Sequence, residues 1–301
     1  MIGSYRKGLV LFQDGAQAYS DVLPGDGDLT DIVYHLDLKC YFLGLNGELY
    51  KKDIYKEAPY IFMDVACSSV FGLRLRYSNL NHRLIVLKGF MEILVINPQK
   101  KNLEAKFEKS DEDLIIDFRF FGEKHSRVVS VSEESVILYN LFEGHGRGEV
   151  YSLEETELME ERKEAYSSIA VSDKHELLLL GILGKKESHR RVSSRMLILK
   201  LTGDILTKIF CLDQFNQGMP YDYTFELCGY AGSHILWLGL SKSKSGLARI
   251  YDYNTETAEL KELEDKRVGY QESFPNKLHP LNGKFYYTGH SGKLMSLSLI
   301  N

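Results

Sequence analysis

From residue 224 to 263 the chain alternates short apolar runs with polar breakers: TFELCGYAGSHILWLGLSKSKSGLARIYDYNTETAELKEL. Four runs, over 224–230, 234–240, 247–253 and 259–263, are separated by Gly232, a Ser/Lys/Gly cluster over 241–246 and a turn over 254–257. Each run has strand length and is bounded by turn formers, so the stretch predicts a four-stranded antiparallel meander. A meander of this kind cannot bury both faces alone and needs neighbours stacked against it.

Five further units follow the same grammar. Across all six units the second strands are expected at 39–45, 83–88, 127–131, 176–182, 234–240 and 284–290, with starts 44, 44, 49, 58 and 50 residues apart. Third strands follow in step at 48–54, 91–97, 136–140, 196–201, 247–253 and 294–300. A period in the forties with later insertions implies a β-propeller of four-stranded blades, an all-β fold in one domain over 1–301. The last unit ends before an outer strand, while the apolar run 7–13 has no partner before it. Pairing that N-terminal strand with 294–300 closes the ring and removes a long free edge. Six blades result, or seven if residues 1–30 hold another, with 16–23 as one of its strands.

The ending YDYNTETAELKEL over 251–263 resembles the degenerate WD-repeat pattern, in which an apolar third strand runs into an Asp or Asn turn. Asp252 stands at the Asp position, and Tyr251 replaces the family's Trp. The resemblance is one of pattern, covers most of the chain, and implies a propeller.

Composition narrows the class. The 301 residues are 44% hydrophobic and 26% charged, enough for a large core. With 19 Tyr and 15 Phe against 6 Pro and 1 Trp, the aromatic content favours strands. A net charge of −5 argues against a dedicated nucleic-acid binder. Cys40, Cys67, Cys211 and Cys228 lie in or beside apolar runs without CxxC spacing, as small hydrophobes in a reducing compartment do. The N-terminal apolar run breaks at Gln13-Asp14, and the run over 177–183 is too short to span a bilayer. The expectation is a soluble, cytoplasmic protein.

Two insertions stand out. The acidic stretch 152–168 predicts a surface helix, with Ser152 and Glu155 as a capping box and partner docking as its possible use. The stretch GKKESHRRVSSR, 184–195, joins second and third strands, as do 241–246 and 290–293. Propeller geometry gathers such loops on one face, so Lys185, Lys186, His189, Arg190, Arg191, Arg195, Lys242, Lys244 and Lys293 form an expected anion-binding sector. Arg190-Arg191 resembles the adjacent arginines of phosphoinositide-binding propellers, although Val192 follows where that family has Gly. The resemblance implies an anionic lipid headgroup; an acidic peptide fits the same charge. Ser193 after Arg190-Arg191-Val192 has the spacing of a basophilic kinase site.

No catalytic constellation, cofactor motif or metal-ligand spacing emerges. Gly144-His145-Gly146-Arg147-Gly148 joins strands rather than opening a helix and reads as a hairpin loop. Asp31, Asp64 and Asp117 are the inner-strand carboxylates that a central channel would use. The pattern thus predicts a non-catalytic scaffold for protein partners. The alternatives are a phosphate, phosphoinositide or acidic-peptide module and a channel-centred hydrolase.

Overall fold

The computed structural model describes residues 2–4, 8–13, 16–21, 29–35, 38–45, 47–53, 59–65, 73–108, 114–132, 135–141, 149–152, 164–184, 194–203, 205–215, 223–241, 247–263, 268–269, 278–281, 284–288 and 294–298. Among them there is no α-helix; apart from two short 3-10 turns, the regular structure is antiparallel β. The chain divides into two compact units.

The first unit comprises Met1–Leu114, Lys124–Ser126 and Tyr139–Gly148. Its sheet 1 has three strands: β1 (Ile2–Ser4), β2 (Gly8–Gln13) and β3 (Ala16–Asp21). Sheet 2 has four, β4 (Leu29–His35), β5 (Cys40–Leu45), β6 (Glu48–Asp53) and β7 (Tyr60–Met63). Sheet 3 repeats this with β8 (Leu73–Ser78), β9 (Arg83–Lys88), β10 (Glu92–Asn97) and β11 (Asn102–Glu108). Cys40, Phe42 and Phe62 of sheet 2 pack on Leu75, Leu84, Val86 and Ile96 of sheet 3. Burial pushes the Cys40 thiol up to about 11, so it behaves as the inert hydrophobe expected.

The second unit comprises Ile115–Glu123, Arg127–Leu138 and Glu149–Asn301. Sheet 4 is β12 (Ile115–Phe121), β13 (Arg127–Ser132), β14 (Ser135–Asn140, whose last two residues belong to the first unit) and β15 (Glu149–Ser152). Sheet 5 is β16 (Glu164–Ser172), β17 (Leu177–Gly184), β18 (Ser194–Thr202) and β19 (Ile205–Phe215). Sheet 6 is β20 (Tyr223–Ala231), β21 (His234–Ser241), β22 (Leu247–Asn254) and β23 (Glu259–Glu262), with β24 (Val268–Gly269) added to β22. Sheet 7 is β25 (Leu278–Leu281), β26 (Lys284–Thr288) and β27 (Leu294–Ser298).

Apart from β24, the strands within each sheet follow chain order, and first strands of consecutive sheets are neighbours: β4 by β8 in the first unit, β12 by β16 and β16 by β20 in the second. The even-numbered Leu178, Leu180 and Ile182 of β17 join Val129, Val131 and Leu138 of sheet 4. The odd-numbered Leu177 and Leu179 join Ile235, Trp237 and Tyr253 of sheet 6. Because successive side chains point to opposite faces, a strand covered on both sides must be apolar at every position. Residues 177–182 therefore form a two-sided strand.

Sheets 5 and 6 meet closely around Phe225. A Cβ on Gly181 would lie 2.9 Å from the Phe225 ring and 2.7 Å from Ser168 Oγ, and one on Gly239 would lie 3.0 Å from the same ring. The ring occupies the space that a side chain at either position would need, and Tyr251 meets it edge-on at a centroid distance of 6.2 Å.

The expected second and third strands are found within two residues of their predicted ends. Three other expectations change. β2 is the middle strand of sheet 1, paired by β1 on one side and β3 on the other, so the run 7–13 is not the fourth strand of the last sheet. The described strands form seven separate sheets, the alternative count in place of six, because residues 2–21 build one of their own with 16–21 as one of its strands. The expected helix over 152–168 is strand at both ends, since Ser152 closes β15 and Glu164 opens β16; residues 153–163 lie outside the described ones.

Trp237 is fully buried between sheets 5 and 6, as its apolar flanks predict. Its fluorescence will be blue-shifted and resistant to iodide quenching in the native protein; emission like that of free indole in water would contradict this packing.

Candidate functional site

The basic sector anticipated from sequence lies outside what the structure describes. Lys185, Lys186, His189, Arg190, Arg191, Ser193, Lys242, Lys244 and Lys293 fall outside the described residues, as do residues 144–148, and Arg195 is placed only as part of β18.

The inner-strand carboxylates are placed, and they are engaged. Asp31 follows a bulge in β4 and accepts the N–H groups of Ile32 at 2.8 Å and of Leu75 at 2.7 Å, tying sheet 2 to sheet 3. Asp117 follows the corresponding bulge in β12. Its Oδ1 accepts the Phe118 N–H at 2.9 Å and Arg119 Nη1 at 2.5 Å. Arg119 also donates to the Phe118 carbonyl at 3.0 Å and approaches Glu226 of β20 at 3.5 Å. A buried carboxylate holding a buried guanidinium is stabilised as a pair, and removing one partner leaves the other uncompensated. Asp64 is not an inner-strand residue: it lies exposed after the outer strand β7.

The turns between first and second strands carry the features that sequence reasoning missed. His82, His125 and His175 lie in these turns, and His234 opens β21 directly after one. Each Nδ1 has a partner: the Tyr77 hydroxyl at 3.3 Å, Ser78 Oγ at 2.7 Å, Ser172 Oγ at 3.3 Å and the Asp252 carboxylate at 2.8 Å, respectively. Ser78 Oγ already accepts the N–H groups of Leu80 and Asn81, so its proton is left for His125. The signal was available, because positions 35, 82, 125, 175 and 234 track the repeat period.

In the second unit these turns frame a cavity of about 610 Å³. Its buried lining is Leu177 and Tyr253. Its exposed lining includes Glu123, Lys174, Glu176 and Lys200, with Ile209 at 37% exposure. Ile209 arrives there through a bulge: Leu199 pairs with Lys208 and Ile198 with Phe210, leaving Ile209 as the extra residue. Bulges of this kind re-aim a side chain out of the ladder. Asp173 fixes one wall by accepting the Gly122 N–H at 2.9 Å, and Thr255 fixes another by donating to the Ser233 carbonyl at 2.9 Å.

Tyr230 extends this surface. Its ring stacks on His175 with centroids 5.2 Å apart, Lys174 Nζ lies 5.2 Å from its centroid, and its hydroxyl bonds Ser172 Oγ at 3.0 Å. Burial raises the Tyr253 phenol above its ordinary range, so it stays protonated at neutral pH. Among the described residues no three of His, Cys, Asp and Glu gather as metal ligands would, and no helix is long and apolar enough to cross a membrane. No known family model matches the chain, and no curated protein is significantly similar to it.

Burial, and then the neighbouring Lys174, hold the His175 imidazole below its usual value. The fold thus prefers neutral His175. Its contribution to stability is complete above the unfolded value near 6.5 and is lost as pH falls through the lower folded value. Melting temperatures of wild type and His175→Gln measured from pH 7.5 to 5 will converge on acidification. A difference that stays constant with pH would contradict this assignment.

Proposed function

We propose that this chain is a β-propeller with WD-repeat-like blades, one for each of the seven sheets, that serves as a scaffold for protein partners. The observation that carries the scaffold reading is the surface running from Ile209 across the cavity to Lys174 and Tyr230, together with Ile205 on the same outer strand. Ile205 is 67% exposed and Tyr230 39%. Isolated exposed apolar residues are common, but a bulge that turns Ile209 out beside a cavity, next to an exposed aromatic, has the composition of an interface. The outer strands of sheets 3 and 6 contrast with this. β11 carries Lys106 bridging Glu92 and Glu108, and β23 pairs Lys261 with Glu259, the charged trim that keeps an edge solitary. For the propeller, the support is the chain-order meanders, the side-by-side first strands and the burial of β17 on both faces.

Small-angle scattering tests the architecture. A single closed ring of 301 residues has a radius of gyration of about 19 Å by the scaling of compact domains. A markedly larger, two-body particle would overturn the propeller. For the scaffold reading, quantitative affinity purification of wild type is compared with Ile205→Asp/Ile209→Asp. A defined set of co-purifying proteins, lost from the variant while its melting temperature is retained, is the expected result. An identical set from both would overturn it.

A further inference from the structure

The cavity in the second unit has a charge pattern that selects its occupant. Lys174 and Lys200 line it, and so do Glu123 and Glu176; all four are exposed, and none has an ion-pair partner among the described residues. An inorganic phosphate or a nucleotide would satisfy the lysines but face both glutamates and Asp173. A cation would meet the converse. A ligand carrying both signs satisfies all of them, and the Leu177, Ile209 and Tyr253 lining adds the demand for an apolar group between the charges. Size narrows the choice further. At about 30 Å³ per water, 610 Å³ holds roughly twenty heavy atoms, the size of a tripeptide and about twice that of a free amino acid.

We propose that this cavity is a peptide socket: it takes one aliphatic side chain of a partner segment against Leu177, Ile209 and Tyr253, with a flanking acidic residue on Lys174 and Lys200 and a flanking basic residue on Glu123 and Glu176. The inference rests on the scaffold reading and names the chemistry of the partner. Walls held by the Asp173–Gly122 and Thr255–Ser233 hydrogen bonds pre-form the socket, which lowers the ordering cost of binding. The charged rim sets specificity and the apolar lining supplies affinity.

The test uses the full chain and four synthetic pentapeptides, followed by amide chemical-shift titration at low salt. Ser-Asp-Leu-Lys-Ser is expected to shift resonances of the 173–177 turn and to saturate. Ser-Asp-Ser-Lys-Ser and Ser-Lys-Leu-Lys-Ser are expected to bind about tenfold more weakly, because exposed ion pairs and one buried aliphatic group each carry a modest share. Lys174→Glu/Lys200→Glu should reverse the preference, favouring Ser-Lys-Leu-Lys-Ser by about tenfold over Ser-Asp-Leu-Lys-Ser and binding Ser-Asp-Leu-Asp-Ser more weakly still, with Trp237 emission unchanged as the check on folding. A preference that the variant does not reverse, binding of free leucine in place of the peptides, or no saturation with any peptide would each overturn the socket. If the peptides fail while Ile205→Asp/Ile209→Asp still loses its partners, the scaffold stands and the socket does not. Peptide binding with an unchanged set of co-purifying proteins gives the opposite division.

Discussion

Every residue of β17 from Leu177 to Ile182 is buried, because sheet 4 covers one face of sheet 5 and sheet 6 covers the other. Burial on both sides is the constraint on which the second unit depends. A four-stranded antiparallel sheet normally offers one face to water, and its sequence alternates accordingly. In sheet 5 the alternation is lost in the middle strand β17, so that this sheet depends on both neighbours. The contact between sheets 5 and 6 depends on two missing side chains. Gly181 and Gly239 admit the Phe225 ring, and packing at interior density makes even one added carbon felt.

Stacking by faces leaves the strand ends and outer edges to meet other molecules. The turns at one end of sheets 4, 5 and 6 are cross-linked by side chains, with Asp173 holding Gly122 and Ser172 holding Tyr230. Those bonds hold the cavity walls in place, while Glu123, Lys174, Glu176 and Lys200 at its mouth have no ion-pair partner among the described residues. The inner carboxylates Asp31 and Asp117 are committed to stitching strands and holding Arg119.

Much of the fold was legible because strand length, breakers and period are local properties. The second strands declared themselves, and so did the close approach of sheets in retrospect: Leu43-Gly44, Leu180-Gly181 and Leu238-Gly239 recur opposite Asp31, Ser168 and Phe225. Pairing was less legible. Nothing in residues 7–13 says whether the strand finds partners nearby or at the far end of the chain, and the two short neighbours β1 and β3 proved sufficient. The cavity was invisible for a physical reason. It is assembled from Glu123, Lys174, Lys200, Ile209 and Tyr253, which come from three sheets, and the residue that shapes it, Ile209, is displaced by a bulge that leaves no mark in hydrophobic periodicity.

Sheets 5 and 6 are held face to face through the Phe225 ring in the space left by Gly181. A double-mutant cycle in urea between Gly181→Ala and Phe225→Leu measures this packing directly. The added methyl group should cost about 1–3 kcal/mol in the wild-type background through overpacking, and less once the ring is gone, with the contact to Ser168 Oγ remaining. A coupling of about 0.5–3 kcal/mol is therefore expected. Strictly additive effects would mean that the two residues do not touch, and would contradict the packing from which the rest of this account is built.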